Sequence, residues 1–156
     1  MNEKYYLFNP FNIKQATELQ LKDLYNDVFN KIIKEPNTMY EYSHNIEVYA
    51  NLNYIIGEII ARLTKDTIEL KTKIQIDTAV NTTNARKSWN TDRDGKAPAM
   101  AYFEAVGTRI SQDDINKLAD KECSIKRFQN AYKSTEEKIN ALKKRSDAIK
   151  FEEKFN

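Results

Sequence analysis

Residues 46–84 read IEVYANLNYIIGEIIARLTKDTIELKTKIQIDTAVNTTN, and this stretch decides the fold. Two series recur every seven residues within it. One is Ile46, Asn53, Ile60, Thr67, Ile74 and Asn81; the other is Tyr49, Ile56, Leu63, Leu70, Asp77 and Asn84. Together they alternate steps of three and four, the pattern of a coiled-coil seam. A spacing of 3.5 rather than 3.6 residues implies left-handed packing against another helix. No proline interrupts the chain between Pro36 and Pro98, so one helix is expected over 38–90, capped by Thr38 or Ser43. At 1.5 Å per residue that is a rod of roughly 70 Å. Its seam is apolar from Ile46 to Ile74 and polar from Asp77 to Asn84. Hydrophobic burial alone cannot hold the polar part, which is either a frayed end or a surface kept for a polar partner.

Working outward, a shorter helix is expected over 13–34. Ile13, Ala16, Leu21, Leu24, Val28 and Ile32 keep helical spacing, Asn12 is its expected N-cap, and Pro36 stops it. Residues 90–98, NTDRDGKAP, are a loop by their Asp-Gly and Pro punctuation. A third helix is expected over 99–151, with a break near 107–111, where Ser111 and Asp114 have capping-box spacing. Leu118, Ile125, Phe128, Tyr132, Ile139, Leu142 and Ile149 carry its stripe. Residues 1–11 form an aromatic arm too apolar for a free tail, expected to dock on the chain's own core or on a neighbouring subunit. The expectation is all-α: a single domain, 1–156, built as an elongated helical bundle with a coiled-coil-like central helix, and oligomeric. Tyr49, Ile56, Ile60, Leu63, Leu70 and Ile74 are the expected oligomer seam.

Composition excludes several classes. Gly and Pro number three each, too few for a turn-rich sandwich or barrel. No window approaches the run of about 20 apolar residues that spans a bilayer. Met1 to Phe8 lack the order of a secretory signal, and a lone Cys123 can form no internal disulfide, so a cytoplasmic location is expected. Cys123 itself reads as a half-buried helix residue.

The inventory of reactive groups is poor. His44 stands alone near a helix start, where a surface or capping role is the ordinary one. No Cys/His spacing fits zinc, and the three glycines are isolated, so no phosphate-cradling loop exists. Neither cofactor nor metal is expected, nor catalysis. The positive signal is charge. Residues 1–60 hold 5 basic and 8 acidic side chains, residues 61–109 hold 9 and 6, and residues 110–156 hold 11 and 9. Two basic segments carry the excess. Lys71, Lys73, Arg86, Lys87, Arg93 and Lys96 make the first, together with Trp89 and the hydrogen-bonding run Asn81 to Asn84. Lys138, Lys143, Lys144, Arg145 and Lys150 make the second. Cations that follow a backbone, with an aromatic on which a base can stack, suit a single strand bound without sequence preference. Both segments also read as ordinary solvated helix faces, and Trp89 as a core residue.

From about Glu69 to Phe155 the chain resembles UvsY, the recombination mediator family of T-even-type phages. The resemblance rests on Asn84-Ala85-Arg86 after a long amphipathic helix, then an aromatic, then the Arg93-Asp94-Gly95 loop. It closes on Ile139-Asn140-Ala141-Leu142-Lys143-Lys144-Arg145-Ser146-Asp147-Ala148-Ile149-Lys150. Met1 to about Met39 has no counterpart. The resemblance implies a non-enzymatic accessory protein of homologous recombination. Such a protein forms a homo-oligomer, binds single-stranded DNA, and helps load a RecA-like recombinase against a single-strand-binding protein. Arg86 falls on the basic position of the family's DNA-binding segment. The family's preceding lysine is replaced by Asn84, with Lys87 adjacent as the substitute. The residues expected to bind DNA are therefore Lys71, Lys73, Arg86, Lys87, Trp89 and Arg93. The alternative is a coiled-coil structural, adaptor or inhibitor protein with no nucleic-acid role.

Overall fold

The computed structural model describes residues 10–153, and nine of the arm's eleven residues lie outside that range. The described residues are all-α: α1 (Pro10–Gln15), α2 (Glu18–Phe29), α3 (Met39–Ser88), α4 (Thr91–Asp94), α5 (Met100–Ile110) and α6 (Gln112–Glu153). No strand occurs among them. None of these helices is long and apolar enough to cross a membrane. They form two compact units, one of Met1–Arg62 with Lys126–Asn156 and the other of Leu63–Ile125. Both long helices contribute to each unit.

In the first unit the expected helix over 13–34 is two helices. Pro10 opens α1 at the first helical position, where its missing N–H costs nothing. Thr17 rather than Asn12 caps the next helix. Its hydroxyl accepts from the Gln20 N–H and the Gln20 side chain accepts from the Thr17 N–H, a reciprocal box that restarts the chain. α2 then ends at Phe29, well before Pro36. The physical reason lies on α3: the Asn45 side chain, 2% exposed, donates to the Ile33 carbonyl at 2.8 Å and accepts from its N–H at 2.9 Å. Those contacts satisfy the Ile33 backbone groups without a further helical turn.

Thr38 is the cap that starts α3. Its hydroxyl accepts from the Glu41 N–H, and the Glu41 carboxylate accepts from the N–H groups of Asn37 and Thr38 at 2.7 and 3.0 Å. Those donors hold the Glu41 carboxyl below its ordinary value. From there α3 packs on two sides. Val48, Leu52, Ile55 and Ile59 are buried with Leu21, Leu24 and Val28 of α2, and Arg62 donates to the carbonyls of Ile13, Lys14 and Ala16 at the end of α1. On its other flank Asn53 accepts from the Thr135 hydroxyl, Met39 meets Ser146, and Gly57 faces the Tyr132 ring. These pairings run antiparallel along α6.

The second unit is held differently. Leu63 and Phe103 are buried, but so are Thr67, Thr82 and Ser111. The polar end of the α3 seam is not frayed, with Asp77 and Asn81 half-buried and Asn84 exposed. It stays helical to Ser88 and is packed by α5. Gly107 allows the approach: a Cβ there would lie 2.7 Å from the Thr78 carbonyl oxygen. Thr78 donates to the Ser111 hydroxyl at 3.2 Å, and Ser111 donates to the Gly107 carbonyl. Ser111 is thus the corner between α5 and α6. The expected Ser111–Asp114 capping box does not form, because the Ser111 hydroxyl is spent on that packing and Asp114 turns to Lys73 and Lys117.

Candidate nucleic-acid interface

The first basic segment lies in the second unit, whose residues 63–125 hold 10 basic and 10 acidic side chains. Its cations are largely spent within the chain. Lys71 pairs with Glu122 at 2.7 Å. Lys73 pairs with Asp114 at 2.5 Å and reaches Asp77 at 4.0 Å. The Asp114 hydrogen bond pushes the Lys73 ammonium up, and the same bond, helped by Lys117, holds the Asp114 carboxyl down. With the Asp66–Lys121 pair at 2.8 Å, these contacts occupy the positions that flank a heptad seam, where coiled coils place their interhelical ion pairs. They tie α3 to α6 inside the unit.

Arg93 is forked on its neighbour Asp94 through Nε and Nη2, at 2.8 and 3.1 Å. The pair pushes the guanidinium up and the carboxyl down. Around it, Asn90 caps the four-residue α4, and Gly95 closes the loop at φ 77°, a left-handed turn that favours glycine. Trp89 is not a free stacking platform. Its indole N–H donates to the Gly95 carbonyl at 3.0 Å, and its ring meets Tyr102 and Phe103 edge-on, with centroids 6.0 Å apart. It staples the 90–98 loop to α5. Of the six residues expected to bind DNA, Arg86 and Lys87 alone stay exposed with no ion pair among the described residues, on the last turn of α3.

The expected oligomer seam is already occupied within one chain. Ile56 and Leu63 are buried, and Tyr49, Ile60, Leu70 and Ile74 are half-buried. Burial raises the Tyr49 phenol above its ordinary value. His44 is half-buried, with Nε2 at 3.0 Å from the Lys31 carbonyl oxygen. Cys123 is exposed rather than half-buried, because it lies off the α6 stripe that faces α3.

The second basic segment keeps its charge. It belongs to the first unit and is longer than the sequence indicated. Residues 126–150 hold 8 basic and 3 acidic side chains, and every one of the basic residues is exposed. Tyr132, Thr135, Ile139, Leu142, Ser146 and Ile149 form the inward stripe of α6. At 100° per residue, Lys126, Arg127, Lys133, Lys138, Lys144 and Arg145 share the opposite arc, with Glu137 as its one acidic member. None of these six makes an ion pair among the described residues, whereas Lys150 meets Asp147 at 3.7 Å. Lys126, Arg127 and Lys133 escaped the sequence reading because Glu136 and Glu137 dilute the local charge count. The seven-residue intervals Lys126–Lys133 and Lys138–Arg145 were the available signal. Asn130, Ser134 and Asn140 are exposed on the same helix and add hydrogen-bonding groups. The arc can therefore neutralise a row of phosphates, and the exposed Phe151 stands at its C-terminal end.

Comparison with protein-family models, with characterised proteins and with solved structures gives no match.

Proposed function

We propose that this chain is a non-enzymatic, single-stranded DNA-binding accessory protein. The resemblance to UvsY gives its setting: homologous recombination, in which it helps a RecA-like recombinase load against a single-strand-binding protein. The observation that carries the binding is the arc of six unpaired cations on α6. Arg86 and Lys87 are an auxiliary pair. Lys71, Lys73 and Arg93 contribute less, because a phosphate would have to displace a carboxylate that already holds each of them. Contacts of this kind recognise the backbone and are tolerant of sequence.

Fluorescence anisotropy of a labelled single-stranded oligonucleotide tests this reading. Six phosphate contacts give a slope of log K against log salt of about −4 on a single strand. Replacing Lys138, Lys144 and Arg145 with glutamate is expected to abolish binding while helicity is kept. Arg86→Glu with Lys87→Glu should weaken binding by a smaller factor. Affinity that ignores the α6 reversals would remove the proposal. A second reading, a protein-binding adaptor, is favoured by one feature of the second unit: an open groove of about 590 Å³ between α3 and α5.

A further inference from the structure

The second unit leaves one face of α3 uncovered. Ile68, Ile76 and Val80 are 61%, 57% and 50% exposed, and with Thr72 they recur every fourth residue. Side chains four apart stand in line as a ridge. The adjacent row, Gln75, Ala79 and Thr83, is one wall of the open groove, and Met100, Glu104 and Thr108 of α5 form the other. Ridge and groove therefore lie side by side on one surface. Exposed apolar residues clustered in this way mark an interaction surface rather than scatter.

We infer that this face pairs with the same face of a second copy of the chain, antiparallel, the ridge of each copy seated in the groove of the other. Self-complementarity carries the choice of partner. A two-fold axis midway between Thr72 and Ile76 sets Thr72 opposite Ile76 and Ile68 opposite Val80 of the second copy, as a closed dimer requires. The same axis brings Lys65 of one copy to Thr83 of the other, on the wall that faces Glu104. Glu104 is the one charged residue lining the groove. Lys65 is available, since its pair with Glu69 is loose at 3.8 Å and both side chains are mostly exposed. Glu69 falls opposite Ala79 and Lys71 opposite Asp77, and the like pair Arg62 and Arg86 meets only at the ends of the face. Ile74 and Thr82 reach the groove lining from the packed side of α3, and the face uses none of the α6 cations. About ten side chains per copy, against the 20–30 of a standard interface, place the dimer in the weak class, dissociating at micromolar concentrations.

Sedimentation velocity of the full chain, without nucleic acid, tests the pairing. The mass is expected to rise from monomer to dimer as concentration passes from about 1 to about 500 µM. Ile76→Glu, an exposed substitution whose fold is checked by circular dichroism, should weaken the dimer at least tenfold. Lys65→Glu and Glu104→Lys should each weaken it, and the double variant should restore it. A monomer at every concentration would overturn the inference. So would a dimer indifferent to Ile76→Glu, or a charge swap that fails to restore association.

Discussion

The two halves of α3 carry the same seven-residue repeat and are held by different forces. Residues 39–62 bury Tyr42, Val48, Leu52, Ile55, Ile56 and Ile59, and the one buried polar side chain among them, Asn45, is satisfied by the Ile33 backbone. Residues 63–88 bury Leu63 together with Thr67 and Thr82, close against Gly107, and are flanked by ion pairs to α6. A heptad repeat thus fixes that a helix will pack, and the side chains at the seam fix what the packing is worth. Aliphatic burial contributes about 25 cal/mol per Å². Hydroxyl contacts and exposed ion pairs contribute far less.

Leu52→Ala should break the comparison hardest. The side chain is 0% exposed, and truncation of such a leucine costs about 3 kcal/mol in transfer and cavity terms. Urea denaturation followed by circular dichroism measures it, and a cost below about 1 kcal/mol would mean that the apolar half is loosely packed. Gly107→Ala comes next, and it tests the polar half. Alanine gains up to about 1 kcal/mol in helix propensity. Here, however, its Cβ would lie 2.7 Å from the Thr78 carbonyl oxygen and 3.0 Å from the Thr82 nitrogen, both backbone atoms. Net destabilisation of about 1–2 kcal/mol is expected, since overpacking against backbone shifts the whole of α5. Trp89, the chain's single tryptophan, packs on Tyr102 and Phe103 of α5, so its fluorescence reports the shift.

The repeat made the long helix legible; Thr38 is one of two expected caps with Ser43, and the break expected near 107–111 rests on a Ser111–Asp114 spacing that forms no capping box. The repeat did not show that α3 is covered from two sides in the first unit. A single-stripe reading finds Tyr49 and Ile56 but passes over Asn45, Val48, Leu52 and Ile59, which are buried as well. The charge reading failed for a related reason. Lys71 and Lys73 are basic in any local count, but Glu122 and Asp114 reach them only after the chain has turned back through α5. Along α6 the error had the opposite sign. Glu136 and Glu137 lower the local count, yet Glu136 projects off the arc where Lys126, Lys133 and Lys144 align. Linear charge density misleads wherever a helix sorts its charges by angle or a distant helix supplies the counter-ion.

Gly57→Ala sharpens the contrast between the halves from the other side. A Cβ at Gly57 would meet the Tyr132 ring at 3.9 Å, an ordinary contact, so nothing has to move. The helix-propensity gain then survives, and the variant is expected to be more stable by about 0.5–1 kcal/mol. One methyl group should therefore stabilise the first unit at Gly57 and destabilise the second at Gly107. Matched signs in urea melts would show that close helix approach does not distinguish them.

The smallest expected effect is in pH, where the halves should separate on the acid side. Glu41 caps the start of α3 and has its carboxyl held below 4.5 by backbone donors. Asp114 braces the other half and is held below 3.8 by Lys73 and Lys117. A carboxyl depressed by folding stabilises the protein above its unfolded value, and that contribution is lost as pH falls through the folded one. The Glu41 contribution therefore begins to fade below about pH 4.5, and that of Asp114 only below about 3.8. On the alkaline side Lys73, raised above 10.5, gives its share below that value and loses it as pH rises through the folded one. Melting temperatures of Glu41→Gln and Asp114→Asn against the parent chain should differ by a few degrees at neutral pH, since both contacts lie near the surface and are screened by solvent. On acidification the Glu41→Gln gap should begin to shrink first. If the Asp114→Asn gap begins to shrink at the higher pH instead, the Lys73–Asp114 contact is not what sets the acid response of the polar half.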